Sequence, residues 1–380
     1  MGEMNQEKTR RFDALTGVRI LAAAAVFLSH AHAPASIPPL LATFMGSGYS
    51  GVTLFFALSG FVLMWSYGER LRPLRVEGLW SFFVARFSRI YPLYLFALLV
   101  VIVPQIAASG WDPLMLLHIS TLQTWSANVN WAYAFNGPGW SIGVEVFLYA
   151  CFPLILIGLA RIRHSAPALI LLGTLIVAGT FALVWWFILT GRNDLAYTDA
   201  ESTHRWLYRT PPARLGDFTL GCIAAILIKY YRAPRLLAVI AQVVGGAGIV
   251  LLMCNRSLLL TAWSWDAAYL LPVVLLLWGL AAGPQTVLAR VLGAKIMVLF
   301  GEASFAFYLL HYPLVGWLTI PSTSLGTWLV ATAIQFALIL LLAVGAHMVI
   351  ERPAQKWLRR TLDRKHSRVP EVPARELVTR

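Results

Sequence analysis

The sequence predicts an all-α integral membrane protein: a single bundle of about ten transmembrane helices with both termini in the cytoplasm. Three observations carry that prediction. The 380 residues are 59% hydrophobic and 12% charged, with a mean hydropathy of +0.70, whereas soluble domains are about 25% charged. The apolar residues gather into ten long runs, most near the roughly 20 residues that a bilayer-crossing helix needs. When the connections are assigned alternately to two sides, 24 of the 30 Lys and Arg residues fall on the side of the amino terminus, and such an asymmetry marks the cytoplasmic face.

In chain order, a polar lead over residues 1–14 carries Lys8, Arg10 and Arg11. The first span, 15–33, lacks a small-residue cleavage motif and is expected to serve as an uncleaved targeting segment. A Pro-rich, cation-free link leads to the second span, 52–67. Arg70, Arg72, Arg75, Arg86 and Arg89 fill the next connection, and the third span covers 90–108. Residues 109–138 contain no Lys or Arg and are rich in Trp, Asn and Tyr, as expected of a loop lying on the outer membrane interface. Further spans fall at 140–159, 166–189, 215–228, 236–254, 267–282, 298–318 and 328–350. The runs 52–67 and 215–228 are short for a bilayer, so a tilted or broken helix is expected there. The core, 15–350, is followed by a charged segment, 351–380, too short for a second domain.

The net charge of +13 sits beside apolar runs rather than in a patch on a soluble domain, so it points to membrane topology and lipid surroundings, not to nucleic acid. Cys151, Cys222 and Cys254 are odd in number and isolated, which argues against a disulfide framework or a zinc site. No internal repeat of the transporter type is evident. Gly48, Gly51, Ser59 and Gly60 punctuate an apolar helix, where small residues let helices approach closely.

Ionisable residues inside spans mark the candidate site, because they are costly in hydrocarbon. Arg19 and His30 are eleven residues apart on the first span, a rise of about 16 Å and about three turns, so both lie on one face at different depths. The alternative is an Arg that snorkels to headgroups and a His bonded to a carbonyl. Glu145 enters from the opposite end to a depth like that of His30, where a carboxylate could hold one imidazole nitrogen of a general base. Pairing with Arg214 is the competing reading. Arg86 and Arg89, three apart at a helix start, share a face and suit bidentate phosphate binding. For Arg70, Arg72 and Arg75, topological anchoring is preferred. His311 lies in YLLHYP with Tyr308 one turn earlier, a second candidate for proton handling. His30 and His32 point about 200° apart, so no metal site is expected. Asp217 and Glu302, near span ends, raise the same question more weakly. The same buried residues would also suit a proton-coupled transporter or flippase.

Several blocks together resemble the membrane acyltransferase-3 family, which moves acyl groups, commonly acetyl, onto sugar hydroxyls. They are LTGVR with His30 at the Arg-x10-His spacing, GYSGVTLFFALSGF, RFSRIYPLY, WSIGVEVFLY, SFAFYLLHYP and the closing Glu351-Arg352-Pro353. The resemblance covers nearly the whole chain and implies a ten-span core with acyl-CoA as donor. It makes His30 and Arg19 essential, gives Arg86 and Arg89 to the donor, and places Glu145 in the site; Arg19 is separately expected to add a donor contact. Trp140, Ser141, Tyr308 and His311 are the candidates to touch the acceptor, a sugar or glycosylated molecule. His30 is expected to act as general base or as a transient acyl carrier, in an enzyme of the cytoplasmic (inner) membrane. Many relatives carry a further helix and a hydrolase-like domain after the core; the present sequence shows neither.

Overall fold

The computed structural model describes residues 12–318 and 324–362, so most of the expected lead and the charged segment beyond 362 lie outside the described residues. The described chain is helical, without strands. Ten helices follow the ten apolar runs in order: α1 (Asp13–His30), α2 (Gly51–Tyr67), α3 (Val76–Ser109), α4 (Trp140–Ile162), α5 (Ala166–Leu189), α6 (Leu215–Tyr230), α7 (Arg235–Met253), α8 (Ala267–Ala282), α9 (Lys295–Trp317) and α10 (Leu325–Ala346). Both runs expected to be short are completed upstream. The helix Pro39–Gly46 and a turn at Ser47–Ser50 lead into α2, and a turn at Pro211–Arg214 leads into α6. Among the described residues nine helical stretches are then long and apolar enough to cross a membrane, and α8, with 16 residues, is shorter.

The start of α3 corrects the sequence reading. The expected span begins at residue 90, behind the arginines, but the helix begins at Val76 and carries Arg86 and Arg89 well inside it. Residues 76–85 are mostly apolar or aromatic and hold no proline, so nothing interrupts the helix there. Its 34 residues extend about 51 Å, well beyond a hydrocarbon core of about 30 Å. The chain after α10 is likewise more ordered than a charged tail. A π-helical turn, His347–Glu351, leads straight into α11 (Arg352–Leu362), which lies against α3. There Trp80 Nε1 donates to the Leu362 carbonyl at 3.1 Å.

Helix α1 buries Leu15, Val18, Ala22, Ala23, Val26 and Phe27 against α9 and α2. Its run of alanines keeps the neighbouring helices close. One tight seam joins α2 to α6. A methyl group on Gly60 would lie 1.9 Å from the Phe218 carbonyl oxygen, and one on Gly221 would lie 1.8 Å from that of Ala57. The two backbones touch, and only glycine fits at either crossing point.

At the end of the bundle away from the start of α1, called here the far end, buried polar groups fasten the loops. Arg214 is completely buried, with Asp217 at 2.9 Å, Asp266 at 3.0 Å and Thr53 Oγ1 at 2.8 Å, and so ties α2 and α6 to the segment before α8. Arg209 donates to the carbonyls of Ser126 at 2.5 Å and Ala127 at 3.1 Å. His204 Nε2 lies 2.9 Å from the Tyr133 hydroxyl among Tyr208 and Trp265. Burial, with the Arg209 cation adding to it, lowers this imidazole to about 4.

Two tests follow from this packing. Gly221→Val should cost about 1–3 kcal/mol by forcing the seam apart, read as a lower thermal unfolding midpoint in detergent; an unchanged midpoint would show that the helices are not in contact. His204 sits neutral in the folded protein, while the unfolded chain takes up a proton near pH 6.5. Its contribution is therefore complete above pH 6.5 and is lost as pH falls from there toward 4, about 3 kcal/mol at most. His204→Gln should flatten the dependence of the midpoint on pH over that window, and an unaltered slope would assign it to other groups.

Candidate active site

The far end of α1 brings two histidines together. His30, the last residue of the helix, places Nδ1 2.9 Å from the Val26 carbonyl one turn back. On α9, His311 Nδ1 lies 2.6 Å from the Tyr308 carbonyl, and His311 Nε2 is 3.4 Å from His30 Nδ1. A carbonyl oxygen only accepts, so in the neutral rings both Nδ1 atoms carry the proton and both Nε2 atoms keep a lone pair. The lone pair of His311 faces His30; that of His30 is left for another molecule. Tyr312 meets the His30 ring edge-on, with centroids 5.2 Å apart. His311 is fully buried and His30 only half-buried.

Six to seven residues from its start, the same helix passes a second polar cluster. Arg19 interacts electrostatically with Arg89, Glu145, Glu351 and Tyr149. Arg86 Nη2 donates to the Tyr67 hydroxyl at 3.1 Å, and its guanidinium lies 5.1 Å from the Tyr67 ring centre and 5.9 Å from that of Tyr149. Glu145 accepts hydrogen bonds from Ser59 at 3.0 Å and from Tyr149. Arg89 pairs with Glu351, whose other oxygen is 2.8 Å from His347 Nδ1. Three guanidiniums thus share two carboxylates, and Arg19 and Arg86 each keep a buried Nε with no hydrogen-bond partner. Such a cation excess inside a bundle can receive an anionic ligand.

Glu145 departs from both sequence readings. It does not hold His30, whose Nδ1 is satisfied by its own helix, and it does not pair with Arg214, whose charge is met by Asp217 and Asp266. Its carboxylate is taken by Tyr149, one turn along α4, and by Ser59 on α2. Among the acceptor candidates, Tyr308 and His311 lie in the histidine group. Ser141 joins them through the Pro138 carbonyl, which accepts from Ser141 Oγ at 2.9 Å and from the Tyr308 hydroxyl at 3.3 Å. Trp140 turns away, its ring 4.6 Å from Tyr208 and 6.4 Å from Phe56, centre to centre. Glu302, near the start of α9, accepts from Arg352 at 2.5 Å.

Sequence reasoning passed over Tyr149, Ser59, Tyr67 and His347 as site residues. The spacings Glu145-x3-Tyr149 and His347-x3-Glu351 were signals for two of them, since such pairs meet on one helix face. Among the described residues no group of three or more His, Cys, Asp or Glu side chains is placed to hold a metal ion.

The sequence is also similar to a known set of proteins. The acyltransferase-3 family model, described as an acyltransferase domain, matches residues 12–352. The chain belongs to that family. It is 28% identical over 377 residues to the acyltransferase MdmB of Streptomyces mycarofaciens, covering 92% of this chain and 93% of that protein. It is 23% identical over 330 residues to the O-acetyltransferase OatA of Staphylococcus aureus, covering 80% of this chain but only 51% of OatA. No solved structure matches the chain significantly. The acyltransferase-3 chain is thus a multi-pass membrane enzyme that transfers acyl groups other than aminoacyl groups.

Proposed function

We propose that this acyltransferase moves an acyl group, acetyl above all, from cytoplasmic acyl-CoA to a hydroxyl of a sugar or glycosylated acceptor at the outer side of the inner membrane. The observation that carries the reading is the disposition of α1. One face of it meets a cation-rich cluster at Arg19 and, eleven residues on, ends at an imidazole with a free lone pair. That separation, about 16 Å along the helix, suits a donor with an anionic head and a long flexible arm. The excess of Lys and Arg in the connections on the side of the termini supports a cytoplasmic donor.

In this reading Arg86, Arg89 and Arg19 bind donor phosphates, and the pantetheine arm runs along α1 toward His30. The acceptor enters at the far end, beside Tyr308, Tyr312 and Ser141. His30 Nε2 removes the hydroxyl proton as the acceptor oxygen attacks the thioester carbonyl; the C–O bond forms, the C–S bond breaks, and the proton passes to the departing thiolate. The Val26 carbonyl fixes the tautomer and ring orientation, the task a carboxylate performs in other histidine bases. His311 limits how that ring can turn. Apolar walls shield the thioester from water. The family relationship to an O-acetyltransferase supports a hydroxyl acceptor.

Purified protein incubated with labelled acetyl-CoA and a glycan extract should place label in the glycan; movement of a solute or lipid without labelling would favour a transporter instead. His30→Ala should lower transfer by about 10²–10⁴-fold, the usual contribution of a general base, with expression and thermal unfolding preserved. Turnover near the wild-type value would remove His30 from the mechanism. The double variant Arg86→Ala, Arg89→Ala should bind CoA at least tenfold more weakly, and unchanged affinity would refute the donor assignment.

A further inference from the structure

At the end of α2 the bundle carries a shallow, solvent-open groove. Met64 of α2 and Ala225 and Ile226 of α6 form an apolar floor. Arg72, Arg163 and Lys229 stand around it, from the α2–α3 connection, the end of α4 and the end of α6. One carboxylate meets these cations. Both oxygens of Glu69 lie 3.2 Å from Arg163 Nη1, Lys229 Nζ is 3.6 Å from one of them, and Tyr230 donates its hydroxyl to the same oxygen. Among the described residues Arg72 has no carboxylate within ion-pair distance. Its Nη2 reaches only the Leu156 carbonyl, at 3.5 Å, and its Nε is buried without a hydrogen-bond partner.

Three cations therefore converge on one anion, leaving two positive charges unmatched. Burial and the neighbouring Arg163 lower the Arg72 guanidinium, as expected of cations held together without enough counter-charge. Burial pushes the Glu69 carboxyl up, but the Tyr230 hydroxyl, Lys229, Arg163 and Arg72 together hold it below the usual carboxylate range, so it stays ionised. The groove is next in the chain to the inner cluster: Tyr67, which accepts from Arg86, is followed by the lining residues Gly68 and Glu69.

We propose that the groove rimmed by Arg72, Arg163 and Lys229 is a phosphomonoester subsite that takes the 3′-phosphate of the CoA donor. It rests on the acyl-CoA reading above and deepens it. A phosphomonoester carries about −1.5 to −2 charge at neutral pH, which matches the two unmatched cations, whereas a phosphodiester such as most lipid headgroups brings only one negative charge. Two arginines offer planar forks for its oxygens and the lysine a point charge. Glu69, half-exposed at the rim, is the resident anion that the phosphate displaces from Arg163. The division of labour is then spatial: the rim reads the ribose phosphate, while Arg86, Arg89 and Arg19 receive the diphosphate and the arm.

Binding of CoA and of 3′-dephospho-CoA to the purified full-length protein in lipid nanodiscs tests this. Wild type should bind CoA about tenfold more tightly than the dephospho form. The double variant Arg163→Gln, Lys229→Gln should bring the two affinities within about twofold of each other, and Glu69→Gln should tighten CoA alone. Equal wild-type affinities for the two compounds, or a preference that survives in the double variant, would overturn the subsite while leaving acyl-CoA as donor. If neither compound binds, the donor reading falls, and the subsite with it. Nanodiscs of phosphatidylcholine with and without phosphatidic acid identify the other source of a phosphomonoester. Should phosphatidic acid bind to wild type and not to the double variant, while the CoA preference is the same in both, the groove holds lipid and the proposal is overturned.

Discussion

The structure depends on keeping three guanidiniums inside a helical bundle. Arg19, Arg86 and Arg89 come from two helices, α1 and α3, and each would be costly among apolar side chains without counter-charge or hydrogen bonds. The protein answers with Glu351 on Arg89, Glu145 in the field of Arg19 and Arg86, and the phenol of Tyr67 on Arg86. The supply is incomplete: among the described residues Arg19 and Arg86 each keep a buried Nε without a hydrogen-bond partner. A cluster fully neutralised by its own side chains would have no reason to admit a polyanion, whereas one left with a positive balance holds its geometry and still favours an anionic guest.

Helix α1 sets that cluster against the histidine group. Its alanines and leucines bury a face against α9 and α2, so Arg19 and His30 cannot rotate relative to one another without disturbing the whole interface. His30 is held without a carboxylate. Its hydrogen bond to Val26 is local and turns with the helix, and His311 reaches it from α9. In the proposed mechanism the neutral imidazole is the form that takes the proton.

Much of this was legible in the sequence, for identifiable reasons. Ten apolar runs gave ten helices because hydropathy and helix length report the same constraint, the thickness of the bilayer. The reading failed at α3, where Arg86 and Arg89 were assigned to a helix start although the helix extends ten residues before Arg86. A cation inside the protein and a cation in a loop look alike to a hydropathy average. Spacing placed Arg19 and His30 on one face of α1, but nothing local could show that His311, 281 residues away, would meet His30. Glu145 was recognised as a buried group with His30 and Arg214 as alternative neighbours, and it bonds neither, because depth along a helix says nothing about direction. Its partner Tyr149 was four residues away, within reach of the helical repeat alone.

The seam between α2 and α6 bears on how molecules enter and leave. With Gly60 against Phe218 and Gly221 against Ala57, two main chains are locked together over a full crossing, and interlocked surfaces of this kind do not slide by small degrees. Those helices form a fixed spine. A rocking motion that parted them would break backbone-to-backbone contact at two glycines, which disfavours passage between them. The helices free to yield are those with the least of their surface held by neighbours: α5, and the stretch from α10 through α11 that carries Glu351 at its bend. In such an enzyme the doorway and the resident counter-ion of Arg89 would move as one piece.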